Sequence, residues 1–268
     1  MQSFTILCLG DTVGEAAIAA IRRRLPSLRR ELQADAVIIN AENSHAGAGN
    51  GTSAADAALL FAAGADCLTG GNHSLRQRDL DPCFERNPAI LRPLNLPAAA
   101  PGAGDCVIDC AGVRVLVMNV MGRVFMDPCD DPVVAVERAL AARKGEYDLS
   151  VLDIHAEATS EKFALAAAFD GKIDLIFGTH THVPTSDGRI LPGGSVFQTD
   201  IGMCGPRDSC LGIDPACVLR KMRTGIPQKF LLSTNPVCLQ GIVVRFEGTG
   251  FSPLHPASVL PFTASEDS

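Results

Sequence analysis

The chain has 268 residues, of which 47% are hydrophobic and 20% charged, and its formal net charge is −7 at pH 7. A chain of this length and apolar content can bury a large core, so we expect a globular protein rather than a disordered one. The acidic balance argues against a nucleic-acid polymer as partner, because binding to a phosphate backbone normally requires a basic surface. It is compatible with a small anion if bound cations reverse the sign of the field in one cleft.

The sequence lacks the usual signs of a membrane or exported protein. No apolar stretch reaches the roughly 18 residues that span a bilayer, and the N-terminal MQSFTILCLGD has no basic leader or cleavage site. The ten cysteines are scattered and form no CxxC pair, which favours small core residues over disulfides. We therefore expect a reduced, cytoplasmic protein that begins at its mature start and has no membrane partner.

Strand and helix alternate in the first third of the chain. Apolar runs at residues 4–9 and 36–40 predict two buried strands, and apolar positions at helical spacing predict a helix over 15–32 between them. Ser53 is the expected N-cap of a second helix, and residues 66–69 predict the next strand. This order is typical of an α/β fold.

The middle of the chain changes character before the alternation resumes. Residues 107–109 and 113–119, on either side of a turn-like Cys-Ala-Gly, predict an antiparallel hairpin. The later predicted elements are helices at 132–144 and 160–169, strands at 149–154 and 174–177, a hairpin at 189–191 and 195–198, and a last strand at 237–246. We expect a single domain over residues 1–262 and a frayed tail over 263–268.

Polar clusters directly follow five of the predicted strands. Two carry oxygen donors, Asp11 and Glu42-Asn43, and three carry histidine: GNH at 71–73, HAE at 155–157 and GTHTH at 178–182. Strand ends are where α/β enzymes place their chemistry. Imidazole nitrogen mixed with hard oxygen, and no cysteine in any cluster, suits Zn, Fe, Mn or Co. The sequence therefore predicts a catalytic metal centre, which we expect to be binuclear.

Each of these residues also has an ordinary structural explanation. Histidine is often partly buried without binding a metal, and Asp11 could cap the helix that follows it. Capping does not explain Glu42-Asn43, and a carboxylate can bridge two cations because each oxygen can bind one of them. His180 and His182 are two residues apart, so in an extended chain both side chains would point to one side. The joint pattern favours the metal centre.

Longer motifs extend this interpretation. They are GDTVG, NAENSHAGAG, GGNHS, LRPLNLP, NVMGRVFM, DIHAEATSEK, GTHTHVPTSDGRILPGG and QTDIGMCGP. In order and spacing, over about residues 4–246, they resemble the bacterial calcineurin-like metallophosphoesterases that act as 2′,3′-cyclic-nucleotide 2′-phosphodiesterases. The chain is similar to this smaller family because Glu42-Asn43 stands where the broader superfamily has GDxxD, and the histidine of the DxH motif is missing after Asp11.

The resemblance implies a four-layer sandwich in which two central mixed β-sheets are flanked by helices. It implies that one metal is held by Asp11, Glu42, Asn43 and His182. It implies that Glu42 bridges to a second metal, whose other ligands are Asn72, His155 and His180. His73 matches the residue that protonates the leaving group. The resemblance further implies two ions of iron or manganese, with zinc or cobalt as alternatives, and a cytoplasmic homo-oligomer.

The expected reaction is hydrolysis of a cyclic nucleotide, most readily a 2′,3′-cyclic nucleotide to a 3′-nucleotide. A hydroxide bridging two metals about 3.5–4 Å apart would attack phosphorus, and His73 would protonate the departing ribose oxygen. Two alternatives stay open: a phosphomonoesterase with the same metals, and a non-catalytic regulator that binds nucleotide or metal and acts through a partner.

Several neighbours of these clusters carry weaker expectations. Ser74-Leu75 stands where relatives commonly have Thr-Trp, and the chain has no tryptophan, so we expect no base-stacking platform at that point. Arg123 either contacts a phosphate or forms a surface salt bridge. Glu157 and Thr181 are candidates for hydrogen bonds that orient the ligands. We expect His45 to face solvent, and the place of Cys204 and Cys210 relative to the metals is left open.

Overall fold

The structure is a computed structural model that describes residues 2–45, 50–249 and 253–266. Its strands are β1 (Gln2–Leu9), β2 (Asp11–Thr12), β3 (Ala36–Asn40), β4 (Cys67–Thr69), β5 (Asp105–Cys110), β6 (Val113–Met121), β7 (Leu149–His155), β8 (Leu175–Thr179), β9 (Arg189–Ile190), β10 (Val196–Gln198), β11 (Met203–Pro206), β12 (Val237–Gly248) and β13 (His255–Ser265). Its α-helices are α1 (Gly14–Glu31), α2 (Ala54–Ala63), α3 (Asp81–Arg86), α4 (Pro132–Ala142), α5 (Thr159–Phe169) and α6 (Pro215–Thr224).

These strands form two mixed sheets. The first has the order β2-β11-β12-β1-β3-β4, with β13 also paired to β12, and the second has the order β5-β6-β7-β8-β10-β9. β1, β3 and β4 are parallel to one another, as are β6, β7 and β8. The two predicted hairpins are confirmed, because β5 pairs with β6 and β9 with β10 in antiparallel fashion.

Three apolar cores separate four layers. One lies between α1, α2 and the first sheet, one between the two sheets, and one between the second sheet and α4 and α5. The predicted arrangement of two mixed sheets flanked by helices is therefore confirmed. No helix of the described residues is long and apolar enough to cross a membrane.

Local sequence signals explain the elements that carry the site. In α1 the buried side chains include Ile18, Ile21, Leu25 and Leu28, at helical spacing on the face towards the first sheet. Ser53 caps α2 as predicted, since its side chain accepts a hydrogen bond from the backbone of the third helical residue, whose carboxylate accepts one from the Ser53 amide. These helices pack their apolar faces on strands whose carboxyl ends carry the polar clusters.

The predicted frayed tail is wrong for the described part of residues 263–268. Thr263 pairs with Gln240 and Ser265 with Cys238, so β13 continues through this region as an antiparallel partner of β12. An unpaired β12 edge would expose a row of backbone donors and acceptors, and β13 satisfies them. Residues 267–268 lie outside the described residues, as do residues 46–49 of the NAENSHAGAG motif.

Candidate metal centre

Side chains from both sheets meet where the predicted clusters end their strands. Imidazole Nε2 of His155, the last residue of β7, lies 3.1 Å from Asn72 Oδ1, 3.1 Å from His180 Nδ1 and 3.4 Å from Glu42 Oε2. Glu42, His155 and His180 each offer a ligand atom, and these atoms all lie within 4.8 Å of one another. His155 is 0% exposed and Glu42 is 1% exposed, so these two donors are shielded from bulk water, whereas the His180 side chain is 21% exposed.

A second group of donors lies on the other side of Glu42. The side-chain nitrogen Nδ2 of Asn43 is 2.6 Å from Glu42 Oε1 and 3.3 Å from His182 Nε2. His182 Nε2 is in turn 3.9 Å from Asp11 Oδ1. The seven predicted ligands thus form two adjoining groups with Glu42 between them; their binding of metal stays a prediction.

The Asp11 carboxylate gives the clearest sign that a cation fits here. The residue is 0% exposed, and Oδ1 receives no hydrogen bond from any described residue. A buried carboxylate oxygen without a donor carries a large desolvation cost, which a bound cation would offset. The donor set of carboxylate, amide and imidazole is also one that accepts divalent transition metals.

Each histidine of the site has one ring nitrogen held by a neighbour. Nδ1 of His155 is 2.9 Å from the Thr179 hydroxyl, Nδ1 of His182 is 3.2 Å from the Leu211 carbonyl, and Nε2 of His180 is 2.9 Å from a Glu157 carboxylate oxygen. Hydrogen bonds of this kind fix the tautomer and leave the opposite nitrogen able to bind a metal. The expected role of Glu157 in orienting a ligand is consistent with this contact.

The two histidines of the GTHTH motif do not lie in an extended chain, and that prediction is wrong. Their φ angles are 92° at His180 and 61° at His182, in the left-handed region that costs a non-glycine residue about 1–3 kcal/mol. Contacts distant in sequence hold this turn, because the His180 amide donates to Asp11 Oδ2 (3.0 Å) and the Thr181 amide donates to Asp200 Oδ2 (3.2 Å).

His73 lies at the rim of the donor groups. Its Nδ1 is 2.9 Å from Asn43 Oδ1 and 3.2 Å from Glu42 Oε1, and its amide donates to Glu42 Oε2 at 3.0 Å. Nε2 makes no hydrogen bond to the described residues. The imidazole is 23% exposed and lines the open cleft. This placement suits a group that contacts a substrate rather than one enclosed among ligands.

The chain is similar to known proteins over most of its length. Residues 7–252 match the family described as YmdB-like protein. The chain belongs to the YmdB-like family. It is 36% identical to the 2′,3′-cyclic-nucleotide 2′-phosphodiesterase of Bacillus subtilis (strain 168) over 242 residues, which is 90% of this chain and 91% of that protein. The predicted resemblance is thereby confirmed.

Two solved structures of similar proteins have the same fold as this chain. A hypothetical protein from Thermus thermophilus superposes with a TM-score of 0.90 at 36% identity, covering 98% of this chain and 99% of that one. A structure described as a novel phosphatase from Mycoplasma pneumoniae gives a TM-score of 0.89 at 32% identity, covering 99% and 94%. Because these relatives are described as a phosphodiesterase and a phosphatase, this YmdB-like chain is a hydrolase-type enzyme.

Electrostatics in this YmdB-like site follow from burial and close charges. Burial alone lowers the pKa of His155, but the Glu42 and Asp11 carboxylates raise it to about 9. Burial, together with the charge on His155, lowers the pKa of His180 to about 3. Burial raises the pKa of Asp11, whereas the histidines beside Glu42 hold its pKa well below the usual range despite its burial. A cation entering the site would therefore replace the proton on His155.

A buried polar network behind His155 was not predicted. Asp153 accepts hydrogen bonds from Thr179 (2.7 Å), Thr69 (2.6 Å) and Asn40 (2.9 Å), and Thr179 in turn holds Nδ1 of His155. The sequence signal for this network is one polar member in each of four largely apolar strands. These residues are Asn40 in β3, Thr69 in β4, Asp153 in β7 and Thr179 in β8. The network fixes the His155 ring from the side opposite the other donors.

The glycine of the GNH motif has a steric reason. A Cβ built on Gly71 would lie 2.3 Å from the His155 ring, so only glycine lets this loop come close enough for Asn72 to contact the imidazole.

The remaining neighbours of the site make ordinary hydrogen bonds. Thr181 bonds to Asp200. The Arg123 amide donates to Glu161 (2.9 Å). Cys204 is buried in β11, and its thiol faces the Gln240 carbonyl (3.6 Å). His45 does not simply face solvent as expected, because its Nδ1 lies 3.1 Å from an Asp56 carboxylate oxygen.

Proposed function

We propose that the protein is a binuclear metal-dependent phosphodiesterase that hydrolyses cyclic nucleotides, with 2′,3′-cyclic nucleotides and their conversion to 3′-nucleotides foremost. The observation that carries the proposal is the cluster of ligand atoms from Glu42, His155 and His180, all within 4.8 Å of one another, beside a buried Asp11 oxygen that receives no hydrogen bond from the described residues. The name of the Bacillus subtilis relative, at 36% identity over 90% of the chain, supports the substrate class.

Each of the two donor groups would bind one metal ion, and Glu42 would belong to both. Asp11, Glu42, Asn43 and His182 would hold one ion. Glu42, Asn72, His155 and His180 would hold the other. The central position of Glu42 supports a bridging role, and the mixture of oxygen and imidazole donors supports iron or manganese. A homo-oligomer in the cytoplasm stays a prediction.

When bound, the ions would supply Lewis-acid chemistry, withdrawing charge from the phosphoryl oxygens and lowering the pKa of water. The protein's own part is to orient and to move protons. Both partners of His73 Nδ1 are acceptor oxygens, Asn43 Oδ1 and Glu42 Oε1, so Nδ1 keeps its proton. With His73 as a doubly protonated imidazolium, the second proton lies on Nε2 and would pass to the departing ribose 2′ oxygen. Cleavage at that oxygen leaves the phosphate on the 3′ position.

The test is product analysis by chromatography. Protein stripped with a chelator is incubated with 2′,3′-cyclic AMP, with and without added Mn²⁺, beside an Asp11→Asn variant. We expect 3′-AMP from the Mn²⁺-loaded wild type alone. Formation of 2′-AMP would contradict the proposed bond cleavage. An inert cyclic diester with rapid turnover of an aryl phosphate monoester would instead favour a phosphomonoesterase, in keeping with the description of the Mycoplasma pneumoniae structure as a phosphatase.

A further inference from the structure

One wall of the cleft comes from a segment that the proposed chemistry does not use. Residues 207–236 leave the first sheet after β11, form α6 and return to β12; we call them the β11–β12 segment. The outgoing and returning arms are tied together next to the cleft. Ile213 bridges Leu232, and the Asp214 amide donates to the Leu231 carbonyl at 2.8 Å. The segment therefore presents a built surface to the cleft.

This surface is adjacent to a proposed metal ligand. The Leu211 carbonyl, at a residue with φ of 55°, lies 3.2 Å from Nδ1 of His182. Leu211, Ile213 and Phe230 line the same cleft as His73 and His182. A ligand that fills this cleft would consequently contact the β11–β12 segment as well.

The cleft is lined by two chemically different kinds of residue. Carboxylate, amide and imidazole groups supply polar surface, and Val13, Val183, Leu211, Ile213 and Phe230 supply apolar surface. Its volume of about 490 Å³ lies within the range of small-ligand sites. A phosphate ester needs only the polar groups. The apolar surface calls for a ligand that also carries a flat or hydrophobic part.

Phe230 indicates that the flat part of the ligand is an aromatic ring. Apart from the histidines, it is the one aromatic side chain among the described residues that line the cleft. The Lys221 ammonium lies 5.0 Å from its ring centroid, a contact that helps to hold the ring in place.

We propose that Phe230 stacks on the nucleobase of the substrate and that Leu211, Ile213 and Phe230, the cleft-lining residues of the β11–β12 segment, form the nucleobase subsite. The proposal rests on the proposed function for the identity of the substrate. Stacking on an aromatic ring tolerates every base, because each base has a π-face. The enzyme should therefore accept cyclic nucleotides of all four bases, with the base contributing to binding and the phosphate contributing to the chemistry.

The kinetic test compares 2′,3′-cyclic AMP with glycerol 1,2-cyclic phosphate, a five-membered cyclic diester without a base. Phe230→Ala should lower kcat/KM for the nucleotide by about 5- to 150-fold, the range for one lost base–aromatic stack. The change should fall mainly on KM, and the base-free diester should be unaffected. Phe230→Tyr should behave as wild type. Ile226→Ala, an exposed residue of the same segment, is the matched control. Equal losses on both substrates, or no loss on either, would overturn the subsite.

A second measurement does not depend on turnover. The chain has no tryptophan, so Phe230→Trp introduces a single indole whose fluorescence a stacked base would quench. We expect 3′-AMP to quench it and inorganic phosphate not to, whereas Ile226→Trp should respond to neither. Quenching without any hydrolysis by wild type would retain the base subsite and reject the proposed function. Hydrolysis of the nucleotide without quenching would reject the subsite alone, and failure of both would reject both.

Discussion

Removal of the Lys162 ammonium should destabilise the turn at residues 180–182, which carries the proposed ligands His180 and His182. Lys162 is 1% exposed and Asp200 is 0% exposed, and Nζ lies 2.9 Å from Asp200 Oδ2. The same oxygen accepts the Thr181 amide, and Thr181 stands between the two left-handed histidines. The ion pair therefore acts on His180 and His182 through the residue between them.

The magnitude follows from the burial of the pair. Substituting Lys162 by Met leaves the Asp200 carboxylate buried without its cation, and breaking such a pair costs about 3–5 kcal/mol. The Thr181 amide and the Gly202 amide still donate to Asp200, so we expect a loss of about 3 kcal/mol, the lower end of that range. At about 2–4 °C per kcal/mol for a chain of this size, the Tm should fall by roughly 6–12 °C.

Two assays separate stability from positioning. Urea unfolding of the metal-free protein, followed by circular dichroism, gives the change in the free energy of unfolding, and titration with Mn²⁺ gives the metal affinity. Lys162→Met should weaken both. Lys144→Met, at an exposed position, is the control and should change neither.

A double variant tests the cause of the loss. Lys162→Met combined with Asp200→Leu removes the uncompensated charge, so it should recover much of the stability. It should not recover Mn²⁺ affinity, because Thr181 would no longer be held. A Lys162→Met protein as stable as Lys144→Met, or one with wild-type Mn²⁺ affinity, would refute the reasoning.

Three further predictions concern the site itself. His73→Ala should lower kcat by ~10²–10⁴-fold with unchanged metal content, as expected for loss of a proton donor; loss of metal on elemental analysis would make His73 a ligand instead. Because the pKa of His155 is about 9 without metal, binding displaces a proton, so Mn²⁺ affinity should rise about tenfold per pH unit below that value and level off above it. Calorimetric titrations at several pH values would show this, and a flat profile would contradict it. Gly71→Ala would press a methyl group against the His155 ring. It should lower the free energy of unfolding, measured in urea, by about 1–3 kcal/mol, and it should also weaken Mn²⁺ binding. Unchanged Mn²⁺ affinity would mean that the loop can move aside.

Features that depend on local pattern were predicted well from the sequence. The strands β1, β3, β7 and β8 are apolar runs, and α1 shows helical spacing, because each is buried against a neighbouring layer. The candidate site could be outlined because the carboxyl ends of parallel strands gather at one edge, so polar residues that end them come close together.

Features that depend on distant contacts were not predictable in the same way. The strand β13 contains Pro256 and Pro261 and is recognised only by its pairing with β12. The left-handed turn at His180 is imposed by Asp11, which lies 169 positions earlier in the chain. Asp153 resembles any polar residue in a strand, and only the three donors that converge on it in the folded chain set it apart.

The donors of the candidate metal centre are contributed by both sheets. Asp11 and Glu42 follow strands β1 and β3 of the first sheet, while His155 ends β7 and His180 follows β8 of the second sheet. Ions held between them would cross-link the two halves of the sandwich, since the sheets could not separate without first releasing the metal. At a free metal concentration about 100 times the Kd, such linkage adds about 2.7 kcal/mol to the free energy of unfolding. The survival of the folded protein in a cell would then follow the metal supply, quite apart from its rate of catalysis.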